Sequence, residues 1–214
     1  MNWQWVIDNA GRIIDLAVDH LAITVPAVLF ATLIAVPLGW LAHRSGPARE
    51  VLVATTSLIY VVPSLAMFIL IPLVLGTSIL SPVNVVAAMT LYGTALLVRS
   101  SADAFDAVPG DVVQSADAAG YPPLKRVFAV ELPLAAPALL SGLRVVSAST
   151  VSLVSVGALI GVQSLGTLFT EGFQRSFPTE ILTGLIATVV LAVALDLLIV
   201  VVKRTTLPWA KLKG

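Results

Sequence analysis

The chain has 214 residues, 58% of them hydrophobic and 11% charged, with a mean hydropathy of +1.00, 12 bases against 12 acids and no cysteine. Soluble domains typically carry roughly 25% charged residues, so this composition excludes an ordinary water-soluble fold and describes an all-α polytopic membrane protein. Zero net charge gives no reason to expect a nucleic-acid partner, and the missing cysteines exclude disulfides, thiolate metal sites and cysteine nucleophiles.

Residues 1–20 hold Trp3, Trp5, Asp8, Arg12, Asp15 and Asp19 among apolar Val6, Ile7, Ile13, Ile14, Leu16 and Ala17. That pattern predicts an N-terminal interfacial amphipathic helix anchored by tryptophan and resting on membrane lipid. A cleaved signal peptide fits less well, because its leading region would be basic and its apolar run shorter. Residues 21–41 contain no charge, and at 1.5 Å per residue they cross roughly 30 Å of hydrocarbon. The same argument predicts spans over 51–75, 79–98, 138–161 with Arg144 inside, and 181–202 with Asp196 inside, which makes five transmembrane helices in one membrane domain, 21–202. A basic tail, 203–214, follows. His20 and His43 fall at the edges of spans without metal-ligand neighbours at helical spacing, so both read as interfacial and no metal site is expected.

Five spans put the termini on opposite sides. Arg44, Arg49, Arg99, Lys125, Arg126, Lys203, Arg204, Lys211 and Lys213 then share one side, while the other receives only Arg12 and Arg175. The basic side is predicted to be cytoplasmic, with the N-terminus outside.

Residues 99–137 form a polar cytoplasmic loop between spans three and four. Five of the twelve acids and three of the twelve bases lie between Arg99 and Glu131. Helix formers run from Val112 to Ala119, Gly120 supplies a turn, Pro122 and Pro123 can start a second helix, and Pro133 is expected to end it. Apolar residues at Val112, Val113, Ala116 and Ala119, then Val127, Val130 and Leu134, give each half of this elbow one face for a surface. The same pattern also suits an amphipathic helix lying on the membrane.

Arg144 stands seven residues beyond Pro137 and Asp196 seven before Lys203, so both lie roughly 10 Å from the cytoplasmic boundary. Two readings are open: the pair meets across spans four and five, or Arg144 snorkels to headgroups while Asp196 meets water or the tail. Pro26 and Pro37 read as packing features of the first span. Pro72, Asn84, Thr90 and Tyr92 are further candidates for a path. Ser147, Ser149, Thr150, Ser152 and Ser155 read as close helix packing, and Gly157 with Gly161 as a weak small-xxx-small contact.

Gly120 is followed by nine residues and then by Val130, Glu131, Leu132 and Pro133. This spacing resembles the cytoplasmic loop of permease subunits in ATP-binding cassette importers: Glu-Ala-Ala, three residues, Gly, nine residues, Ile, any residue, Leu-Pro. Gln114, Ser115 and Ala116 occupy the Glu-Ala-Ala positions, so two of the three depart from the pattern. Three further stretches resemble the osmoprotectant branch, which imports glycine betaine, choline and carnitine: YVVPSLAMFILIPLVLG from Tyr60, VELPLAAPALLSGLR from Val130, and Ala158 to Gly161 with Leu165 and Gly166.

The resemblance implies a multi-pass subunit of the cell membrane without catalytic chemistry or cofactor. Its coupling residues would be Gln114, Ser115, Ala116, Gly120, Leu132 and Pro133, docked on ATP-binding cassette ATPase subunits. It implies a second permease chain, identical or homologous, and an extracellular or periplasmic solute-binding protein. Tyr60, Pro63 and Ser64 become candidates for the translocation path, because an aromatic face suits a quaternary ammonium. Independently, no Gly-x-x-x-x-Gly-Lys-Ser/Thr occurs, so ATP hydrolysis is expected in another polypeptide. Outer segments of about twenty residues each are too small to capture a solute. A different small amino acid or zwitterion as cargo fits the same residues. An ATP-independent channel or carrier would need a relay of intramembrane ionisable groups, and the spans hold one acid and one arginine. A membrane-embedded enzyme would need paired histidines, paired carboxylates or a serine with a base, and the spans offer none.

Overall fold

A computed structural model describes residues 1–209; Lys211 and Lys213 of the basic tail lie outside the described residues. Among the described residues every regular element is helical: α1 Trp3–Asp8, α2 Ala10–Arg44, α3 Ala48–Val61, α4 Ser64–Leu75, α5 Pro82–Asp106, α6 Gly110–Ala118, α7 Pro123–Arg126, α8 Leu132–Val154, α9 Thr167–Gln174 and α10 Pro178–Thr206. A π-helical turn, Val127–Glu131, joins α7 to α8, and a 3-10 turn, Ser155–Ile160, extends α8. Ala10–Arg44, Pro82–Asp106, Pro123–Ile160 and Pro178–Thr206 are each long and apolar enough to cross a membrane.

The fifth expected span, 51–75, is not one helix. α3 and α4 meet at 101°, so they make a crossing only as a broken pair. The cause is local: proline disfavours helical geometry in the residue before it, and both Val62 (ψ 130°) and Pro63 (ψ 132°) are extended.

α5 is the centre of the bundle, packed on α2 and α8. Ala27, Ala31, Ala35 and Gly39 recur every fourth residue along α2, and all are buried. A Cβ on Gly39 would lie 2.8 Å from the backbone nitrogen of Ala102, and one on Gly93 would lie 2.7 Å from the Ala31 methyl. Close backbone approach of this kind replaces the hydrophobic drive that lipid does not supply. Pro26 and Pro37 sit inside α2 without interrupting it. Of the expected hydroxyl row, Thr150 donates to the Val146 carbonyl at 2.8 Å, whereas the buried Ser155 hydroxyl has no partner. By contrast, α10 buries nothing along its most apolar stretch.

Several boundaries differ from the expected ones. The N-terminal stretch is interrupted at Asn9, between α1 and α2, and not at residue 20. α2 begins at Ala10, and its outer turns stand on α9 and α10, with Leu16 buried against Leu165 and Leu168 and Trp5 edge-on to Phe177 at 5.3 Å. His20 is fully buried, its Nε2 3.0 Å from the Val151 carbonyl, rather than interfacial. α5 runs two turns past the expected end at 98. Gly157 and Gly161 lie outside α8 yet close to the start of α5, a Cβ at Gly157 falling 3.3 Å from Val85 and one at Gly161 2.9 Å from Leu80. They close the 3-10 turn, where Gly161 has φ +84° and Val162 N–H reaches the Gly157 carbonyl at 3.1 Å.

Candidate functional site

The elbow is built by its turn chemistry. α6 closes with Gly120 at φ +77°; Gly120 N–H donates to the Asp117 carbonyl at 2.9 Å and Tyr121 N–H to that of Ala116 at 3.1 Å. This paired capping needs a left-handed residue, which glycine adopts without a Cβ penalty. Pro122 is extended and Pro123 opens α7. Pro133 does not end a helix as expected. Leu132 N–H bonds back five residues to Val127, and Pro133, which has no N–H, falls in the first turn of α8 just after the ladder has loosened.

Gln114 and Ser115 are exposed on α6, Gln114 at the rim of the cavity that Val113, Arg126 and Glu131 also line, while Ala116 is buried and Gly120 exposed. Ser115 Oγ bonds only its own helix, at the Asp111 carbonyl, 2.8 Å away. Leu132 packs on Phe105, Ala135 and Leu139 together with Trp40, which ties the elbow to α2 and α5. Leu124 and Phe128, four apart, are largely exposed.

Under the elbow lies a charged group that periodicity did not reveal. Arg126 Nη1 donates to Asp117 at 2.5 Å and Arg126 Nε to Glu131 Oε1 at 2.8 Å. The indole N–H of Trp40 donates to Glu131 Oε2 at 3.0 Å. The side chains of Arg126 and Glu131 are 13% and 5% exposed, so water screens this pair weakly. Arg126 and Glu131 are five apart, a spacing that brings side chains together on a π turn and not on an α-helix. Beside them, Arg49 holds Asp103 at 2.5 Å and Asp106 at 2.8 Å, and His43 Nδ1 lies 2.5 Å from Asp106. These contacts fasten the α2–α3 turn to the end of α5.

At the α3–α4 break, the Tyr92 hydroxyl donates to the Val62 carbonyl, and Tyr60 stands edge-on to Tyr92 with ring centroids 5.5 Å apart. Tyr60 is 43% exposed, Pro63 is exposed and Ser64 half-buried. The other candidates there are committed internally: Asn84 Nδ2 donates to the Ser78 carbonyl at 2.7 Å, and Thr90 to Val86 at 2.8 Å.

The structure brings Arg144 and Asp196 together between α8 and α10 in a two-pronged contact, Nε to Oδ1 at 2.5 Å and Nη2 to Oδ2 at 2.8 Å. At the opposite end from the elbow, Arg12 binds Glu171 at 2.6 Å and the fully buried Glu180 at 3.3 Å, and Arg175 also reaches both. The sequence hint was that Arg12 and Arg175 are the lone bases assigned to that side. The described residues contain no cluster of three or more potential metal ligands.

The family of binding-protein-dependent transport system inner membrane components matches residues 21–208, from the first span through the elbow to the end of α10. The chain belongs to this family. Members of known name resemble it over nearly their whole length. An osmoprotectant import permease protein, OsmW, of Salmonella typhimurium is 30% identical over 199 residues, 92% of each chain. A choline transport system permease protein, OpuBB, of Bacillus subtilis is 26% identical over 205 residues, covering 96% of this chain and 93% of that one. In fold, the chain superposes on an inward-facing MetNI methionine ABC transporter with a TM-score of 0.80 at 20% identity, over 90% of this chain and 95% of that one.

Proposed function

We propose that this chain is the transmembrane permease subunit of an ATP-driven, binding-protein-dependent importer for compatible solutes such as glycine betaine, choline or carnitine. The observation that carries this reading is the family match over 21–208, joined to near full-length relatives named for osmoprotectant and choline transport. ATP is hydrolysed in separate subunits, and solute is delivered by a separate binding protein. The N-terminus lies outside and the elbow in the cytosol, where the exposed Gln114, Ser115, Leu124 and Phe128 form the docking face for an ATPase subunit.

Arg144 and Asp196 are 44% and 33% exposed within a membrane-crossing pair of helices, a position unfavourable against lipid. Along α8 the exposed face continues as Ala138, Ser141, Val145, Ala148 and Ser152, smaller and more polar than exposed α10, which is mostly Leu, Ile and Val. This face borders an aqueous path closed by a second permease chain. Tyr60, Pro63 and Ser64 contribute to that path at the α3–α4 break, where an exposed aromatic face can meet a quaternary ammonium and extended backbone is tolerated beside a cavity.

The test is ATP-dependent uptake of labelled glycine betaine into proteoliposomes holding the chain with its ATPase and binding-protein partners. Saturable uptake that requires ATP is expected. ATP hydrolysis without betaine uptake would move the cargo to another zwitterion, and uptake by the chain alone, without any ATPase, would refute the class.

A further inference from the structure

We infer that Asp117, Arg126, Glu131 and Trp40 form a strut that carries displacement of α6 across the glycine hinge to α2, with Arg126 and Glu131 as its positioning residues. The inference rests on the coupling role proposed for the elbow. Along the chain, α6 is joined to α7 by the Gly120 turn, and no atom lies within 4 Å of where a Gly120 Cβ would stand. Such a turn fixes the angle of the elbow in the resting state but offers no packing to resist bending when α6 is pushed.

The side chains supply that resistance. One guanidinium is tethered twice, to Asp117 at the end of α6 and to Glu131 in the π turn. Glu131 in turn splits its two oxygens between Arg126 and the indole N–H of Trp40 on α2. Both central side chains are nearly buried, so the Arg126–Glu131 bond is short, directional and weakly screened, while the bond to the half-exposed Asp117 is more open to water. Three bonded contacts thus link α6, the root of α8 and α2 without passing through Gly120.

The absence of native cysteine allows a direct test in the complete complex with its ATPase subunits. Nitroxide labels on Val112→Cys (α6) and Leu41→Cys (α2), both exposed positions, report the α6–α2 distance by pulsed electron spin resonance with and without nucleotide. A second pair, Val112→Cys and Leu134→Cys, reports α6 against α8. In the otherwise unaltered complex α6, α8 and α2 move together, so both distances stay constant with nucleotide while ATP drives uptake. In Trp40→Phe, which keeps a ring and removes the N–H donor, the α6–α2 distance changes with nucleotide, the α6–α8 distance stays constant and ATP hydrolysis continues. In Glu131→Gln both distances change with nucleotide, and solute moved per ATP hydrolysed falls severalfold. Variants whose distances stay as constant as those of the unaltered complex, with uptake per ATP kept, overturn the strut alone. Uptake per ATP that survives Gly120→Val overturns the coupling role and the strut with it.

Discussion

Replacing Gly120 separates the shape of the elbow from its contact with a partner. The residue sits at φ +77° with open space around its missing Cβ, so a substitution adds no internal clash and its cost is conformational. For an ordinary L-residue the left-handed region costs about 1–2 kcal/mol; asparagine tolerates it, and β-branched valine tolerates it least. A cost of that size lowers the ratio of set to unset elbows by roughly 5–30-fold. Initial rates of ATP-driven solute uptake in proteoliposomes, normalised to protein in the membrane, are therefore expected to fall in the order Gly, Asn, Ala, Val. ATP hydrolysis should become progressively uncoupled from uptake along the series. If Gly120→Val transports at the rate of the unaltered protein, the reasoning fails. A series ranked instead by volume, with Ala above Asn, would mean that a docked partner packs directly on this position.

Two other substitutions test the membrane interior. Arg144→Asp and Asp196→Arg each leave like charges facing one another between α8 and α10, so each should lower the thermal midpoint in detergent. The double exchange should recover part of that loss, and a double variant no more stable than either single one would argue against an energetic role for the pair. At the α2–α5 contact, Gly39→Ala forces a methyl group to 2.8 Å from the Ala102 nitrogen and should destabilise by about 1–3 kcal/mol through overpacking. Gly11→Ala, with nothing within 4 Å, is the matched control and should be neutral or slightly stabilising; equal melting of the two variants would refute close packing at Gly39.

The turn signals around Gly120, Pro122 and Pro123 were legible because a left-handed glycine and a pair of prolines dictate local backbone whatever surrounds them. Pro133 misled for the complementary reason. Proline at the head of a helix and proline after one look alike in sequence, and the five-residue bond from Leu132 to Val127 decides between them. Tyr60, Pro63 and Ser64 were legible as an unusual stretch, yet the 101° bend there was not, because hydropathy averages over backbone geometry. The Arg126–Glu131–Trp40 contact was hidden, since its members are 91 residues apart at the extremes and its inner spacing belongs to a π turn.

The sequence by itself determined that this chain lives in a membrane and which stretch does not, because transfer of charge and backbone out of water is costly enough to be settled residue by residue. It also determined where four of the five apolar helices lie, to within a few turns, and the elbow's turn at Gly120. Tertiary structure alone decided which charges meet, with Arg12 on Glu171 and Glu180, Arg126 on Glu131 and Asp117, and Arg144 on Asp196. It also decided that residues 10–20 run on into the first span as α2, with Leu16 and His20 turned into the bundle. Those outcomes depend on how far each helix is rotated and how closely small residues such as Gly39 and Gly93 let backbones approach, and both are set by the packing of the whole bundle at once.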